Sequence, residues 1–361
     1  MSAFSQTGAA GKARIAVAGG GVIGMTCAFE LSRRGQSVTV FDPGTPSQST
    51  SWAAAGMIAP AYEVMLDGGG ADTPLARLCF ESAGLWRDFA LAVQRASGMP
   101  VGYHTAPTLA LARSPEEQAR LEALHAELEQ TAHAPRWIDI VDHRVRLGFS
   151  GKVCAGLVLP DDHQTDNRRL MQAFQQTSGA GRFDRIARAL TSKADLEGEG
   201  YDVIVWARGA QEFGVDTLVK GQALALEPLP NMPEQVLRFG SGYVVPKPDR
   251  IVIGATSEAT YAHAGVREDV TRALLDAAIG VLPMLAKADL MEVWTGLRPK
   301  RDSGLPLIGE IAPGEFVAAA HHRNGILLAP ATARRIADMI DGRAGHADAA
   351  VFAPDRVRAA T

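Results

Sequence analysis

The feature that most constrains the fold is a glycine-rich segment near the start of the chain, RIAVAGGGVIGMTCAFELSRRGQSVTVFDP at residues 14–43. A short apolar run leads into Gly19, Gly21 and Gly24, which have the spacing G-x-G-x-x-G, and a helical pattern and a second apolar run follow. This order is typical of a βαβ unit, where the first glycine makes a tight turn, the second leaves room for a pyrophosphate and the third lets the helix pack on the strand. Asp42 ends the second run, where a carboxylate can accept hydrogen bonds from a ribose. The segment therefore predicts a dinucleotide site, and an ordinary glycine-rich turn of an α/β protein is the alternative.

The composition is that of a globular protein with room for two domains. The 361 residues are 47% hydrophobic and 21% charged, and the net charge of −4 argues against a nucleic-acid surface or an anionic membrane partner. The first residues lack the apolar core of a signal peptide, and no apolar stretch is long enough to predict a membrane span.

Metal and disulfide patterns are not evident in the sequence. Cys27, Cys79 and Cys154 lie far apart, so we expect no disulfide and a cytoplasmic location. The run DDH at 161–163 allows a metal site, but adjacent residues rarely converge on one ion, and a solvated turn is the favoured interpretation.

A segment rich first in hydroxyls and then in small residues, TSWAAAGMIAPAYE, follows the βαβ unit. The hydroxyls of Thr50 and Ser51 could bond phosphate or ribose oxygens, whereas Ala55 and Gly56 would let backbone amides approach a flat ring. Either hydroxyl could instead N-cap a helix that the alanines favour. The two interpretations are compatible because a helix N-terminus binds anions.

The middle of the chain changes from an α/β pattern to a strand-rich one. Thr73, Ser114 and Asp166 predict helix starts, and the apolar run at 203–206 predicts a buried strand that returns to the first sheet. Beyond Gly221 the pattern is strand-rich, which indicates a second domain inserted in the first. The other elements predicted in this part are strands at 137–141, 153–159, 222–226, 243–245, 251–253 and 290–294 and a helix at 268–281.

Towards the C-terminus a further strand, turn and helix aim backbone amides at a ligand. The strand is predicted at 316–320, the turn at 323–325 and the helix from Leu327 onward. Arg298 stands between a leucine and a proline, in a partly apolar setting where it needs an acidic partner within the protein or an anionic ligand.

Five motifs in this order resemble the D-amino-acid oxidase-like (DAO) family of FAD-dependent oxidoreductases, and within it the glycine oxidases. The motifs are AVAGGGVIG with FD, TSWAAAGMIAPAYE, SGYVVPKPDRIVIGAT, WTGLRPKRDSGLP and HHRNGILLAPAT, and together they span nearly the whole chain. The resemblance implies an α/β fold, with a Rossmann-like FAD-binding domain and an inserted, strand-rich α+β substrate domain. It assigns 1–75, 144–220 and 296–361 to the discontinuous FAD-binding domain, and 76–143 and 221–295 to the substrate domain.

The cofactor that the resemblance implies is FAD. No cysteine stands in the motifs where related sarcosine oxidases attach flavin, so we expect FAD to be bound non-covalently. The residues that the resemblance and the glycine pattern place at the FAD are Gly19, Gly21, Val22, Ile23, Gly24, Asp42, Pro43, Thr50, Ser51, Ala55, Gly56, Met57, His321, His322, Arg323, Asn324, Gly325, Ile326 and Leu327.

Three residues are implied to handle the substrate. Arg298 of GLRP resembles the arginine that clamps the substrate carboxylate, and a planar guanidinium fork matches a carboxylate in two parallel bonds. Tyr243 of GYVVP resembles a hydroxyl donor to the same carboxylate, with packing on a strand as the alternative. Arg323 of HHRNG resembles the residue that closes the site around the amine, through its backbone because its charge would repel an ammonium.

The activity implied is that of an FAD-dependent oxidase of glycine or another small amino acid. Hydride passes from Cα to flavin N5, the imine hydrolyses to a 2-oxo acid and ammonia, and oxygen accepts the electrons to give hydrogen peroxide. Glycine oxidation in this family commonly supplies thiazole synthesis for thiamine. Two alternatives stay open: a D-amino-acid or D-proline-type dehydrogenase with another electron acceptor, and a non-catalytic FAD-binding subunit of a complex.

The chain departs from the family pattern at three places. Ser241 stands where glycine oxidases carry histidine, the segment 180–201 is short, and Gln211 and Glu212 replace the usual aromatic residue. The first two bear on the size and preference of the substrate. A smaller residue leaves room beside Cα, so we expect sarcosine or D-alanine to be accepted as well as glycine, with activity falling as side chains lengthen. The preferred amino acid, and whether the chain forms a homo-oligomer, are left open by the sequence.

Overall fold

The structure is a computed structural model that describes residues 12–44, 49–67, 69–343 and 345–354. Its strands are β1 Arg14–Ala18, β2 Ser37–Phe41, β3 Met57–Ile58, β4 Thr108–Ala112, β5 Arg136–Trp137, β6 Ala155–Leu159, β7 His163–Gln164, β8 Asp184–Ile186, β9 Val203–Trp206, β10 Thr217–Leu226, β11 Leu237–Phe239, β12 Gly242–Pro246, β13 Ile251–Gly254, β14 Leu290–Lys300, β15 Leu307–Ala312 and β16 Glu315–Ala319. Its helices are α1 Val22–Arg33, α2 Thr50–Ala53, α3 Pro60–Asp67, α4 Pro74–Ser97, α5 Pro115–Leu128, α6 Ile140–Leu147, α7 Asn167–Gly179, α8 Glu268–Ile279, α9 Gly325–Ile340 and α10 Ala349–Phe352.

The glycine-rich segment forms the centre of a six-stranded sheet with the order β15-β16-β9-β1-β2-β8. Strands β16, β9, β1, β2 and β8 run parallel, and β15 adds an antiparallel edge. The prediction that the strand at 203–206 returns to this sheet is confirmed, because β9 pairs directly with β1. The segment 180–201 carries β8, which pairs with β2 at the other edge.

Helices α1, α4, α7 and α9 share a hydrophobic core with this sheet. Phe29, Trp86, Phe174 and Leu327 are buried in it, one from each helix. The predicted start of α4 is confirmed, since the Thr73 hydroxyl accepts the amide of Ala76 at 3.1 Å. The caps predicted for α5 at Ser114 and for α7 at Asp166 are confirmed as well.

The strand-rich part of the chain forms an eight-stranded sheet with the order β14-β10-β13-β12-β11-β4-β6-β5. Its neighbours are antiparallel except for the pair β4 and β11. Helix α8 packs against this sheet through a second core that includes Leu224, Leu237, Ile253 and Leu282. The α/β fold class is confirmed, and the exact division into two domains stays a prediction.

Two local predictions in this part of the chain are wrong, and one predicted strand is longer than expected. The strand expected at 137–141 is limited to β5, because Asp139 caps α6 by accepting the amides of Val141 and Asp142 at 2.9 and 3.1 Å. The solvated turn expected at 161–163 is the second, because Asp162 is fully buried. The strand predicted at 290–294 is confirmed and continues to Lys300, since β14 pairs with β10 along its whole length.

Asp162 has a structural role at the start of α3. Its two carboxylate oxygens accept the amides of Ala61 and Tyr62 at 2.8 and 3.0 Å. Burial raises the pKa of this carboxyl to about 7. Within the described ranges, no group of three or more histidine, cysteine or acidic residues could hold a metal ion. In the same ranges no helix is both long and apolar enough to cross a membrane.

Candidate active site

A cleft between the two sheets collects most of the predicted site residues. It contains about 1230 Å³ of empty space, its open mouth included. Its walls come from the first turn of α1, from α2, β3 and α3, from β10, β11, β12 and β14, and from the start of α9 with the segment before it. The predicted residues that line it are Val22, Thr50, Ser51, Ala55, Met57, Tyr243, Arg298, His322, Arg323, Asn324, Gly325, Ile326 and Leu327.

The other predicted residues lie beside the cleft rather than in its wall. Those of the glycine turn and of the end of β2 are Gly19, Gly21, Ile23, Gly24, Asp42 and Pro43, while Gly56 precedes β3 and His321 precedes α9. Their roles at the cofactor stay predictions.

The glycine turn fits a bound pyrophosphate. Gly19 has a φ of +111°, and a Cβ there would run into the carbonyl of Ala207, so the tight turn requires glycine. A Cβ on Gly24 would run into the carbonyl of Gly19, which brings α1 close to β1. Among the described residues, a Cβ on Gly21 would have Ser51 Oγ at 3.3 Å as its only neighbour within 4 Å, which leaves the space in front of it open. The first turn of α1 carries no acidic side chain, so its amides face that space with positive potential.

Asp42 holds the glycine turn in place. Its Oδ2 accepts the amide of Gly20 at 2.5 Å, and its Oδ1 accepts the amide of Gly44 at 2.7 Å. A carboxylate has about four lone-pair sites, so the group keeps acceptor capacity for a ribose hydroxyl.

The hydroxyls of Thr50 and Ser51 connect α2 to neighbouring elements through hydrogen bonds. Ser51 Oγ accepts the amide of Val22 at 2.8 Å, and Thr50 Oγ1 donates to the carbonyl of Leu297 at 2.8 Å. The N-cap of α2 is Ser49, so the expectation that Thr50 or Ser51 caps this helix is wrong. These contacts connect the first turn of α1 to the strand that carries Arg298.

The small residues after α2 form a wall that other elements approach closely. Gly56 has a φ of +79°, and a Cβ there would meet the carbonyl of Thr165. A Cβ on Gly296 of β14 would lie 2.8 Å from the Cβ of Ala53. Trp294 Nε1 fixes this wall by donating to the carbonyl of Ala53 at 2.8 Å. On the cleft side, the small side chains of Ala53, Ala54 and Ala55 line the open space, where a flat ring could lie close to the backbone.

The segment before α9 places two neutral histidines at the other side of the cleft. His321 is buried and lies 3.0 Å from Thr332 Oγ1, and burial lowers its pKa to about 3. His322 lines the cleft, and burial together with the charges of Arg323, Arg298 and Lys300 lowers its pKa to about 3. The helix that follows begins at Gly325, earlier than the predicted start at Leu327.

Helix α9 is anchored at the turn that faces the cleft. Its Pro330 lies inside the helix, and the Leu327 carbonyl accepts Ser82 Oγ at 2.6 Å and Trp86 Nε1 at 3.0 Å. Ser82 Oγ also accepts the amide of Ala331 at 3.2 Å, so the hydroxyl is inserted between two groups of the helix. Helix α4 thus fixes the position of the first turn of α9.

Arg298 presents an unneutralised guanidinium to the cleft. Its Nη1 donates to the carbonyl of Thr256 at 3.1 Å, and in the described part of the chain no carboxylate lies within 4.0 Å of it. The expected alternative, a structural ion pair, is therefore not found among the described residues. Burial lowers the pKa of Arg298, and the neighbouring charge of Arg323 lowers it further. The other N–H groups of the Arg298 guanidinium are therefore available to donate to an anion bound in the cleft.

Tyr243 lies beside Arg298 with its phenol facing the same space. It is 7% exposed, and its ring rests on Gly254, where a Cβ would overlap it. Burial raises the pKa of Tyr243, against the charges of Arg298 and Arg238, so the phenol stays protonated. Its Oη has no hydrogen-bond partner within the described ranges, which leaves it able to donate to an anion.

Arg323 and Glu63 form an ion pair that sequence reasoning missed. Arg323 Nε donates to Glu63 Oε2 at 2.5 Å, and both residues line the cleft. Glu63 ends the TSWAAAGMIAPAYE motif, which was the only signal for it. Arg238, Thr256 and Ser257 also line the cleft without having been singled out.

Comparison with known proteins identifies the family. Residues 14–339 match the family described as FAD dependent oxidoreductase (DAO), and this chain belongs to that family. FAD is its cofactor. The open space in front of Gly21, the acceptor Asp42 and the small alanine side chains that line the cleft fit that group.

The sequence similarity to known relatives extends over most of this chain. The bifunctional protein ThiO/ThiG of Nostoc sp. is 31% identical over 350 residues, which are 90% of this chain and 52% of the relative, so the chain spans about half the length of that protein. The glycine oxidase of Geobacillus kaustophilus is 28% identical over 369 residues, with 95% of this chain and 96% of the relative covered. The crystal structure of glycine oxidase from Geobacillus kaustophilus has a TM-score of 0.84 at 26% identity, and covers 96% of this chain and 100% of that one.

Proposed function

We propose that this member of the FAD-dependent oxidoreductases is an amino-acid oxidase of glycine and other small amino acids. The overall reaction converts the amino acid, water and oxygen into a 2-oxo acid, ammonia and hydrogen peroxide. The observation that carries the proposal is Arg298, a guanidinium in the cleft without a carboxylate within 4.0 Å in the described part of the chain, with the free phenol of Tyr243 beside it. Together they offer three or more donors to one carboxylate.

The residues of the cleft position the substrate rather than exchange protons with it. Arg298 and Tyr243 hold the carboxylate, and the Arg323–Glu63 ion pair lies in the same wall. His322 is neutral, because burial and, in addition, the positive charges around it keep its pKa below physiological pH. These cations also favour the neutral form of the substrate amine, the form that carries the lone pair needed for oxidation. FAD, when bound, supplies the acceptor for the hydrogen and the electron pair that leave Cα.

Two further parts of the proposal concern the setting of the enzyme. Similarity to the ThiO/ThiG proteins supports a role of the product in thiazole synthesis for thiamine. The second part is a cytoplasmic location, which the free cysteines Cys27 and Cys154 support, since such thiols persist in a reducing compartment.

The test is anaerobic mixing of the FAD-loaded protein with glycine, sarcosine and D-alanine, followed by admission of air. We expect the flavin absorbance to bleach with the amino acid and to return in air with stoichiometric hydrogen peroxide. Bleaching without rapid return in air would point to the dehydrogenase alternative instead. No bleaching by any amino acid in the panel would contradict the proposal and favour a non-catalytic FAD-binding subunit.

A further inference from the structure

We propose that Arg238 binds a second carboxylate of the substrate, so that the enzyme also acts on small amino acids that carry two carboxylates. The inference rests on the proposed function, since it concerns another part of the same substrate. Arg238 is a buried cation in the cleft, and no carboxylate in the described protein neutralises it.

Arg238 is 4% exposed and lines the cleft. Its Nη1 donates to Met57 Sδ at 3.2 Å, a weak acceptor, and its Nε has no partner. Within the described ranges no carboxylate lies within 4.0 Å of its guanidinium. A buried charge without a counter-charge is unfavourable, so a site that keeps one is suited to an anionic ligand.

The acidic residues around Arg238 are engaged elsewhere. Glu63 accepts from Arg323 at 2.5 Å, and Glu117 accepts from Arg113 at 2.5 Å. Asp162 accepts two backbone amides, and burial raises its pKa to about 7, which reduces its negative charge at neutral pH. None of these carboxylates is positioned to neutralise Arg238.

The backbone places Arg238 next to the expected substrate. In the pairing of β11 with β12, Arg238 lies directly opposite Tyr243, so both side chains project from the same face of the sheet. The guanidinium carbon lies 5.9 Å from the centre of the Tyr243 ring. Arg298 and Arg238 both oppose the effect of burial on the pKa of Tyr243. Two arginines of the cleft, Arg298 on β14 and Arg238 on β11, therefore lie near the phenol of Tyr243.

The charges of the cleft leave an excess that one carboxylate does not remove. Its lining contains Arg238, Arg298 and Arg323 against Glu63, and His322 is neutral. The α-carboxylate of a substrate would neutralise one of the two excess positive charges. A second carboxylate on a short chain would neutralise the other.

The competing explanation is that Arg238 is structural. Its guanidinium carbon lies 3.9 Å above the centre of the Tyr62 ring, a cation–π contact that could hold α3 against β11. A structural arginine would affect all ligands of the cleft alike, whereas a binding arginine would affect only those with a second carboxylate.

The experiment is a titration of the FAD-loaded protein with acetate, malonate and succinate, followed by the flavin absorbance. These carboxylates have no amine to oxidise, so the readout does not depend on turnover. We expect malonate or succinate to bind at least about tenfold more tightly than acetate, the gain of one charged hydrogen-bonded contact. In Arg238→Met this advantage should disappear, and in Arg238→Lys it should fall but remain. Arg298→Lys, the matched control, should weaken acetate and the dicarboxylates together.

Turnover gives the second measurement. The ratio of kcat/KM for a dicarboxylic amino acid to kcat/KM for glycine should fall at least about tenfold in Arg238→Met. D-aspartate carries the second carboxylate on the side chain and iminodiacetate carries it on the nitrogen, so the two substrates show which side of Cα faces Arg238. Both flavin content and circular dichroism are recorded for each variant.

Several outcomes would overturn the assignment of Arg238. The first is that acetate and the dicarboxylates bind the unmodified protein with equal affinity. The second is that the dicarboxylates still bind more tightly than acetate in Arg238→Met. The third is that both Arg238 variants lose FAD and their fold. The proposed function fails separately if acetate does not bind and glycine does not bleach the flavin.

Discussion

The guanidinium of Arg298 lies over the Cα of Gly221 on the neighbouring strand β10. A Cβ at position 221 would lie 2.6 Å from the Cζ of Arg298 and 2.7 Å from its Nη1. Glycine at this position therefore provides the space in which the guanidinium of Arg298 is held.

Gly221→Ala should displace Arg298 and weaken substrate binding without releasing FAD. We expect KM for glycine to rise by about tenfold or more, since a charged hydrogen bond is worth about 1.5–3 kcal/mol. The matched control is Gly84→Ala in α4, where an added Cβ meets no atom of the described chain within 4 Å. An unchanged KM in Gly221→Ala would show that Arg298 does not bind the substrate from this position.

Gly21→Val should abolish retention of FAD. The branched side chain would fill the open space in front of Gly21, where the turn leaves room for a pyrophosphate. The measurement is the flavin absorbance of the purified variant, with circular dichroism to confirm that it is folded. Gly179→Ala, where an added Cβ has no neighbour within 4 Å in the part of the chain that the structure describes, is the control. A fully yellow Gly21→Val protein would mean that FAD is held elsewhere.

Ser241→His should narrow the range of substrates. Ser241 lines the cleft two residues before Tyr243, and a larger side chain there would reduce the volume beside Cα. We expect kcat/KM for D-alanine to fall by about tenfold relative to glycine, since one methyl group is worth about 1–3 kcal/mol in such pockets. A ratio that does not change would place the side chain of the substrate away from this strand.

Ser82→Ala should destabilise the protein by about 1–3 kcal/mol, because it leaves the Leu327 carbonyl and the Ala331 amide with fewer buried partners. The matched control is Ser97→Ala in the same helix, whose hydroxyl donates to Val93 within α4 and is partly exposed. Denaturant unfolding in excess FAD measures the free energy of unfolding of both variants. Equal, small decreases in this free energy would show that the Ser82 hydroxyl does not stabilise α9.

Stability should fall as the pH falls from about 6.5 to about 3, and His321 contributes to this. Burial lowers the folded-state pKa of His321 to about 3, whereas the unfolded chain titrates near 6.5, so only the unfolded state binds the proton in that window. The free energy of unfolding then decreases by about 1.4 kcal/mol per pH unit below the unfolded pKa. His321→Gln should show a shallower decline in unfolding experiments at pH 7, 6 and 5. Identical slopes for the two proteins would contradict the assignment.

The local elements followed from the sequence wherever the physics is local. The glycine spacing, the caps at Thr73 and Asp166 and the apolar strand at 203–206 are set by neighbouring residues, and the structure has them as predicted. The strand predicted at 137–141 was wrong because a single capping carboxylate, Asp139, outweighed the apolar residues around it.

The sequence by itself determined the family, the cofactor-binding βαβ unit and the residue types near the cleft, since these are carried by contiguous motifs. Only the tertiary structure decided which charges remain unneutralised. Glu63 and Arg323 are paired although they lie 260 positions apart in the chain, while Arg238 meets Tyr243 through strand register. The physical reason is that a charge is neutralised by whatever lies within a few ångströms of it, and chain folding, not local sequence, sets those distances.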